Sequence, residues 1–294
     1  MKWKSISKKA PCPCGSGKRY GDCCGILEKL GNNELDGTRL AAMKSMAYKG
    51  KVGQTRRSFC MDYLRKKKAL LHEIERALAS AEGRTGKKVT CQKGCAICCS
   101  MYIEATVQEC EVIVYYLYQH DEALTSFLSS YPAWRTQLRE KGDIFKGRSR
   151  YWEPRTSVER AAELWKEFTE EEDAYFEQGA PCPFLASNTC LIYEVRPFVC
   201  ASYAAVTPPE NCRPGSKEQP KVAKAIPPGV RSDLSFYPQA LTERVLSTMQ
   251  IMVYEILKSG PDCLSKAGIK GLEDLGRRWL GDPEVSAVYR RYAP

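Results

Sequence analysis

The sequence predicts a mostly α-helical protein with two cysteine-rich departures: a small N-terminal knuckle, and an irregular cysteine-rich core wrapped by helices. Three observations carry this expectation. Apolar residues recur at helical spacing in several long stretches. Eight cysteines fall into two remote groups, Cys91, Cys95, Cys98 and Cys99, then Cys182, Cys190, Cys200 and Cys212. The segments bearing them contain Gly and Pro, which interrupt regular structure.

A chain of 294 residues with 43% hydrophobic content can bury a real core and suggests one or two domains. The start, MKWKSISKK, is charged, and no apolar run approaches the roughly 18 residues a membrane helix needs. Neither a signal peptide nor a membrane anchor is expected, and the expected location is cytoplasmic. Fifteen cysteines in a reducing compartment are not explained by disulfides, and only two histidines accompany them. Metal ligation is the remaining bulk use, by sulfur alone.

The net charge of +10 is concentrated at one end: residues 1–90 hold 21 Lys+Arg against 8 Asp+Glu. A basic segment of this kind is drawn to ribosomes, RNA or acidic protein surfaces. No interleaving of aromatic and basic residues marks a nucleotide track, so a solvated basic helix face stands equally open.

The helices follow from spacing. Cys60, Leu64, Leu71, Ile74 and Leu78 form a stripe over about residues 59–78, with Arg65, Lys66, Lys67 and Lys68 expected on the solvent side. Thr106 to Glu109 reads as a capping box, followed by the stripe Cys110, Ile113, Val114 and Leu117. A second box, Thr156 to Glu159, opens a helix with Val158, Ala162, Trp165 and Phe168 inward. Residues 181–215 read as irregular loop with at most a hairpin. Leu241, Val245, Met249, Met252 and Ile256 predict a long helix from about Leu234 to Lys258. Cys60 and Cys110 lie on apolar stripes and read as small buried hydrophobes. Neither His72 nor His120 is placed to act as a catalytic base, and Cys263 has no partner at ligand spacing.

In PCPCGSGKRYGDCCG, Cys12, Cys14, Cys23 and Cys24 bring four thiolates within reach of one ion. About fifteen residues cannot bury a core, so zinc coordination would have to fold the segment. GSGK lacks the GxxxxGK[ST] frame of a phosphate loop. The stretch resembles the SEC-C motif found at the C-terminus of the SecA preprotein translocase. That resemblance implies Zn2+ held by Cys12, Cys14, Cys23 and Cys24, and a module that docks onto a partner. Cys24 stands where SecA-type copies carry histidine.

In CQKGCAICC, Gly94 lets the backbone curl. Adjacent Cys98 and Cys99 require either a sharp bend or thiolates that serve different sites. The second group, CPFLASNTCLIYEVRPFVCASYAAVTPPENC, can meet the first only through the fold, so a shared metal would staple the intervening insert. Arg196 could hydrogen-bond a cluster sulfide or pair with Glu194, and the ion pair is the expectation. An all-sulfur set suits zinc or iron–sulfur, and eight thiolates exceed the need of one zinc ion, which favours one or two 4Fe-4S clusters.

The elements CxxxCxxCC, CPFL, CxIYExRPxxC and NC resemble the YkgJ-type cysteine-cluster family, the CxxCxxCC zinc- or iron-chelating domain. On that resemblance, residues 1–25 are a SEC-C-like zinc knuckle, 26–54 a basic linker and 55–294 a helical cysteine-cluster domain. The implied ligands are Cys91, Cys95, Cys98, Cys99, Cys182, Cys190, Cys200 and Cys212. The resemblance extends to flagellin lysine N-methylases, which use S-adenosylmethionine, although no GxGxxG turn is present. A redox or protein-modifying enzyme, and a zinc-only adapter docking to ribosomes or acidic partners, are the function classes left standing.

Overall fold

The computed structural model describes residues 7–12, 16–23, 25, 35–85, 88–92, 94–140, 170, 172–218, 220–224 and 246–259. The predicted helix from Thr156, with Trp165 and Phe168, and the tail with Cys263 lie outside them, as do Leu241 and Val245.

Helices dominate the described residues. They include α1 (Gly37–Met46), α2 (Gly50–Thr85), α3 (Val107–Leu117), α4 (Asp121–Glu140), the short α5 (Phe198–Ser202) and α6 (Met249–Ser259), and residues 172–177 are helical as well. Strands occur only as three two-stranded antiparallel pairs: β1 (Glu104–Thr106) with β6 (Leu246–Thr248), β2 (Leu185–Ala186) with β3 (Thr189–Cys190), and β4 (Tyr203–Ala205) with β5 (Val222–Lys224). None of the helices described is long and apolar enough to cross a membrane.

The centre is α3. Its stripe of Cys110, Ile113, Val114 and Leu117 is buried as predicted, and Val112 on the opposite side is buried too. α3 is therefore covered on nearly every side, its carboxylates Glu109 and Glu111 included. α2 and α6 pack directly on it, with Met249, Met252, Val253, Ile256 and Leu257 of α6 inward. Each such side chain contributes about 1.5–3 kcal/mol by leaving water. α4 adds Phe127, Tyr131, Trp134 and Leu138. It runs through Pro132, whose interior position costs about 3 kcal/mol that this burial must offset. Stacked rings join α4 to its surroundings: Phe127 on Phe184 at 4.2 Å and Tyr131 on Tyr254 at 4.1 Å.

Three expectations are corrected. Lys67 does not face solvent: it is 1% exposed and its Nζ lies 3.2 Å from Glu109 Oε1, while Arg65, Lys66 and Lys68 do face outward. The helix expected over about Leu234 to Lys258 does not include residues 246–248, which form β6 and pair Thr106 with Leu246 through Glu104 with Thr248; the described α-helix starts at Met249. Tyr102 and Thr248 hydroxyls bond at 2.9 Å beside this pair. Pairing with β1 satisfies the backbone groups of 246–248 without a helix, and periodicity on one strand cannot reveal its partner. Third, residues 37–46, within the stretch read as linker, form α1. Asp36 caps it by accepting from Arg39 N at 2.7 Å, and Arg39 Nε donates to Lys258 O at the end of α6.

The two cysteines read as small buried hydrophobes are that, whereas His72 is more exposed than a packed histidine would be. Cys60 and Cys110 are fully buried. His72 is exposed, 3.5 Å from Glu75, and His120 stacks on Tyr116 just past the end of α3.

Candidate metal centre

The first cysteine segment is a tight curl. Gly94 has φ +93°, a left-handed conformation that favours glycine, although a Cβ there would meet open space. Cys95 N donates to Gln92 O, and Ile97–Ser100 forms a 3-10 turn in which Cys99 N donates to Ala96 O. Upstream, Thr90 is fastened to Ala205 O and Thr207 O.

The second segment is more ordered than the loop predicted for it. Ser187 (φ 48°) and Asn188 (φ 59°) make the two-residue turn between β2 and β3, a pair of positive φ values that tight hairpins demand. Pro197 leads into α5, which carries Cys200, and the 3-10 turn Pro209–Cys212 places the last thiol. The two segments are stitched together by Cys182 N donating to Cys99 O at 2.8 Å.

The two cysteine groups lie within electrostatic reach of one another. Cys98 is at the hub: its charge acts on Cys91, Cys99, Cys182, Cys190, Cys200 and Cys212. The Cys99 thiol, donating to the Cys98 sulfur, draws Cys98 down to about 7, and Arg196 adds to the effect. Cys99 is correspondingly raised. Cys91, Cys182, Cys190, Cys200 and Cys212 move upward because burial disfavours the thiolate, Cys182 to about 11 and Cys200 well above the usual range. Cys91, Cys98 and Cys200 nonetheless retain exposed surface.

Hydrogen bonds aim at these sulfurs. Ala205 N–H donates to Cys91 Sγ at 3.0 Å, and buried Gln250 of α6 donates its Nε2 to Cys182 Sγ at 3.5 Å. Backbone N–H groups of Phe184 and Ile192 bond the sulfurs of Cys182 and Cys190. Such donors orient thiolates and stabilise their charge.

Arg196 corrects a further expectation. Glu194 pairs with Lys68 at 3.0 Å, while the Arg196 guanidinium lies 3.6 Å over the Tyr193 ring, a cation–π contact. Its Nε is buried with no hydrogen-bond partner among the described residues, and its charge favours the thiolates of Cys98 and Cys190.

Sequence reasoning missed the support beneath the site. Glu109 Oε1 accepts from Phe198 N (2.8 Å), the first residue of α5, and from Lys67 Nζ. One carboxylate thereby ties α2 and α3 to the helix bearing Cys200. A second buried pair, Arg56 with Glu111, lies deeper, beside Tyr48 and Cys60.

In the N-terminal knuckle, Pro11 bridges Arg19, Cys12 N donates to Lys18 O, and Cys12 and Cys23 are buried with Tyr20. Ser16 Oγ is 3.2 Å from Cys23 Sγ. Gly25 folds so close that a Cβ would come 2.7 Å from Tyr20 O. Cys14 and Cys24 lie outside the described residues. Among the described residues, no three Cys, His, Asp or Glu side chains are drawn to metal-ligating spacing, in the knuckle or the core.

Cysteine sulfurs, N–H···S bonds and a fixed cation are the groups a thiolate metal site would use. Comparison with known families agrees at that level. Residues 90–224 match the CxxCxxCC family, described as "Putative zinc- or iron-chelating domain", and residues 9–26 match the SEC-C motif, so the chain carries both. No curated protein and no solved structure matches it.

Proposed function

We propose that the chain is a metalloprotein whose eight core thiols hold iron–sulfur, with 4Fe-4S favoured over zinc, and whose knuckle holds Zn2+ through Cys12, Cys14, Cys23 and Cys24. The observation that carries this reading is the joining of the two cysteine groups, with Cys182 N donating to Cys99 O and the charge of Cys98 reaching Cys91 and Cys212 as well as Cys182, Cys190 and Cys200. Crowded thiols that raise one another's pKa need a cation to become thiolates together, and a bound metal or cluster supplies it while releasing their protons. Eight sulfurs exceed one zinc ion's needs, and N–H···S bonds with an arginine counter-charge suit a cluster whose potential is tuned by its surroundings. The knuckle and the basic N-terminal region serve docking to a protein or ribosomal partner.

Anaerobic purification followed by iron, acid-labile sulfide and zinc analysis tests the reading. Brown protein with iron and sulfide in equal amounts is expected. Colourless protein with zinc alone would replace the cluster with a structural zinc centre, and a core empty of both would end the metal reading.

A further inference from the structure

We infer that α5 and the β4–β5 pair present a docking face for an acidic protein partner, one that brings apolar side chains ringed by carboxylates. This surface is separate from the basic N-terminal region, and it stands whether the thiols take iron or zinc.

Exposed apolar residues mark the face. Among the described residues, six large apolar side chains are strongly exposed, and five of them, Met101, Tyr193, Val199, Tyr203 and Val222, lie in or beside the cysteine-bearing segments. Single apolar residues scattered over a surface need no explanation, whereas a contiguous group with a polar border marks an interaction site. Three of the five are contiguous. Val199 and Tyr203 stand four residues apart across α5 and share its outer side, while Ala201 and Ser202 between them are buried. β4 and β5 then pair Tyr203 with Lys224 and Ala205 with Val222. Residues two apart along a strand share a face, so Val222 is carried to the Tyr203 side. Val199, Tyr203 and Val222 are 42%, 44% and 44% exposed, and Cys200 opens to solvent beside Val199.

The border decides the partner. Residues 203–224 hold four Lys+Arg against two Glu. Arg213, Lys217 and Lys221 face solvent, while one of the two carboxylates, Glu218, accepts from Asn211 Nδ2 at 3.1 Å. Lys88 adds an exposed cation just before Thr90, whose hydroxyl bonds Ala205 O and Thr207 O and so fastens that segment to β4. Cations beside an apolar centre attract carboxylates and repel basic surfaces. Two valines at that centre offer a nucleic acid no ring on which to stack a base, whereas they match the apolar side chains of a polypeptide. A patch of this size suits a weak, rapidly exchanging encounter steered by charge.

The probe is a short fluorescein-labelled peptide in which Glu pairs alternate with Leu and Phe, titrated with the full chain and followed by fluorescence anisotropy. The parent is expected to bind it, and Val199→Ser/Tyr203→Ser to weaken binding about tenfold. Val222→Ser, on a different element, should weaken it as well, which guards against local misfolding of α5. Lys217→Glu/Lys221→Glu should lose about tenfold at low salt and little at high salt. Met61→Ser on α2 and Lys8→Glu/Lys9→Glu in the knuckle should leave binding unchanged. A parent that ignores the peptide would overturn the inference, as would equal binding of a version with Lys in place of Glu, or loss of binding in the knuckle variant alone. So would displacement of the peptide by single-stranded RNA, or a parent dimer in light scattering that Val199→Ser/Tyr203→Ser turns into monomer, because the face would then belong to nucleic acid or to a second copy.

Discussion

Lys67→Met is the most discriminating test of how the helical core supports the thiols. Lys67 is 1% exposed, its Nζ 3.2 Å from Glu109 Oε1 and 5.6 Å from the centre of the Tyr63 ring. Methionine fills a similar volume but leaves the Glu109 carboxylate buried without its cation. Breaking a buried pair in this way costs about 3–5 kcal/mol. Removing both charges, in Lys67→Met/Glu109→Leu, deletes the uncompensated charge and leaves Phe198 N–H without its acceptor, a loss of about 1–3 kcal/mol. The double variant should therefore be more stable than the single. Urea unfolding under reducing conditions, followed by circular dichroism, measures both. A single variant destabilised by less than about 1 kcal/mol, or a double variant worse than the single, would refute this account of Glu109.

Three further outcomes are expected. Arg196→Gln removes the positive charge that favours the Cys98 thiolate, so in metal-free protein the Cys98 pKa should rise from about 7 and alkylation at neutral pH should slow, with Arg196→Lys recovering part of the rate. Gln250→Leu deletes the hydrogen bond to Cys182 Sγ and should weaken metal binding by roughly 10–100-fold, read by competition with a chelator, while Cys110→Ala leaves metal content unchanged. Gly94→Ala forces a Cβ onto a backbone at φ +93°, costing about 1–3 kcal/mol, and should lower metal retention without changing helix content.

Much of the architecture was legible because burial leaves a periodic trace. The stripe of α3 and the buried face of α6 follow directly from residue spacing, and the remoteness of the two cysteine groups required a fold that unites them. Lys67 shows where such reading slips. It occupies a stripe position, between Tyr63 and Leu71, but within a run of four basic residues its charge argued for solvent, and its partner lies on another helix. The strand at 246–248 was hidden for a similar reason, since its partner is Glu104–Thr106. Arg196 carried a local decoy: Glu194 stands two residues away, yet Lys68 on α2 takes it. These three misses concern long-range pairings, which no local pattern encodes, whereas α1 carried a local signal in its Asp36 cap.

The antiparallel clasp of Glu104–Thr106 with Leu246–Thr248 has a consequence for biosynthesis. The stretch that seals the central helix, and that contributes the amide reaching Cys182, is translated last among the described residues and after residue 224, where the cysteine-domain match ends. A nascent chain therefore emerges from the ribosome with the cysteines of residues 91–212 made before the helix that covers α3 and reaches Cys182. Fragments cut at residue 224 lack that helix and should be oxidation-prone.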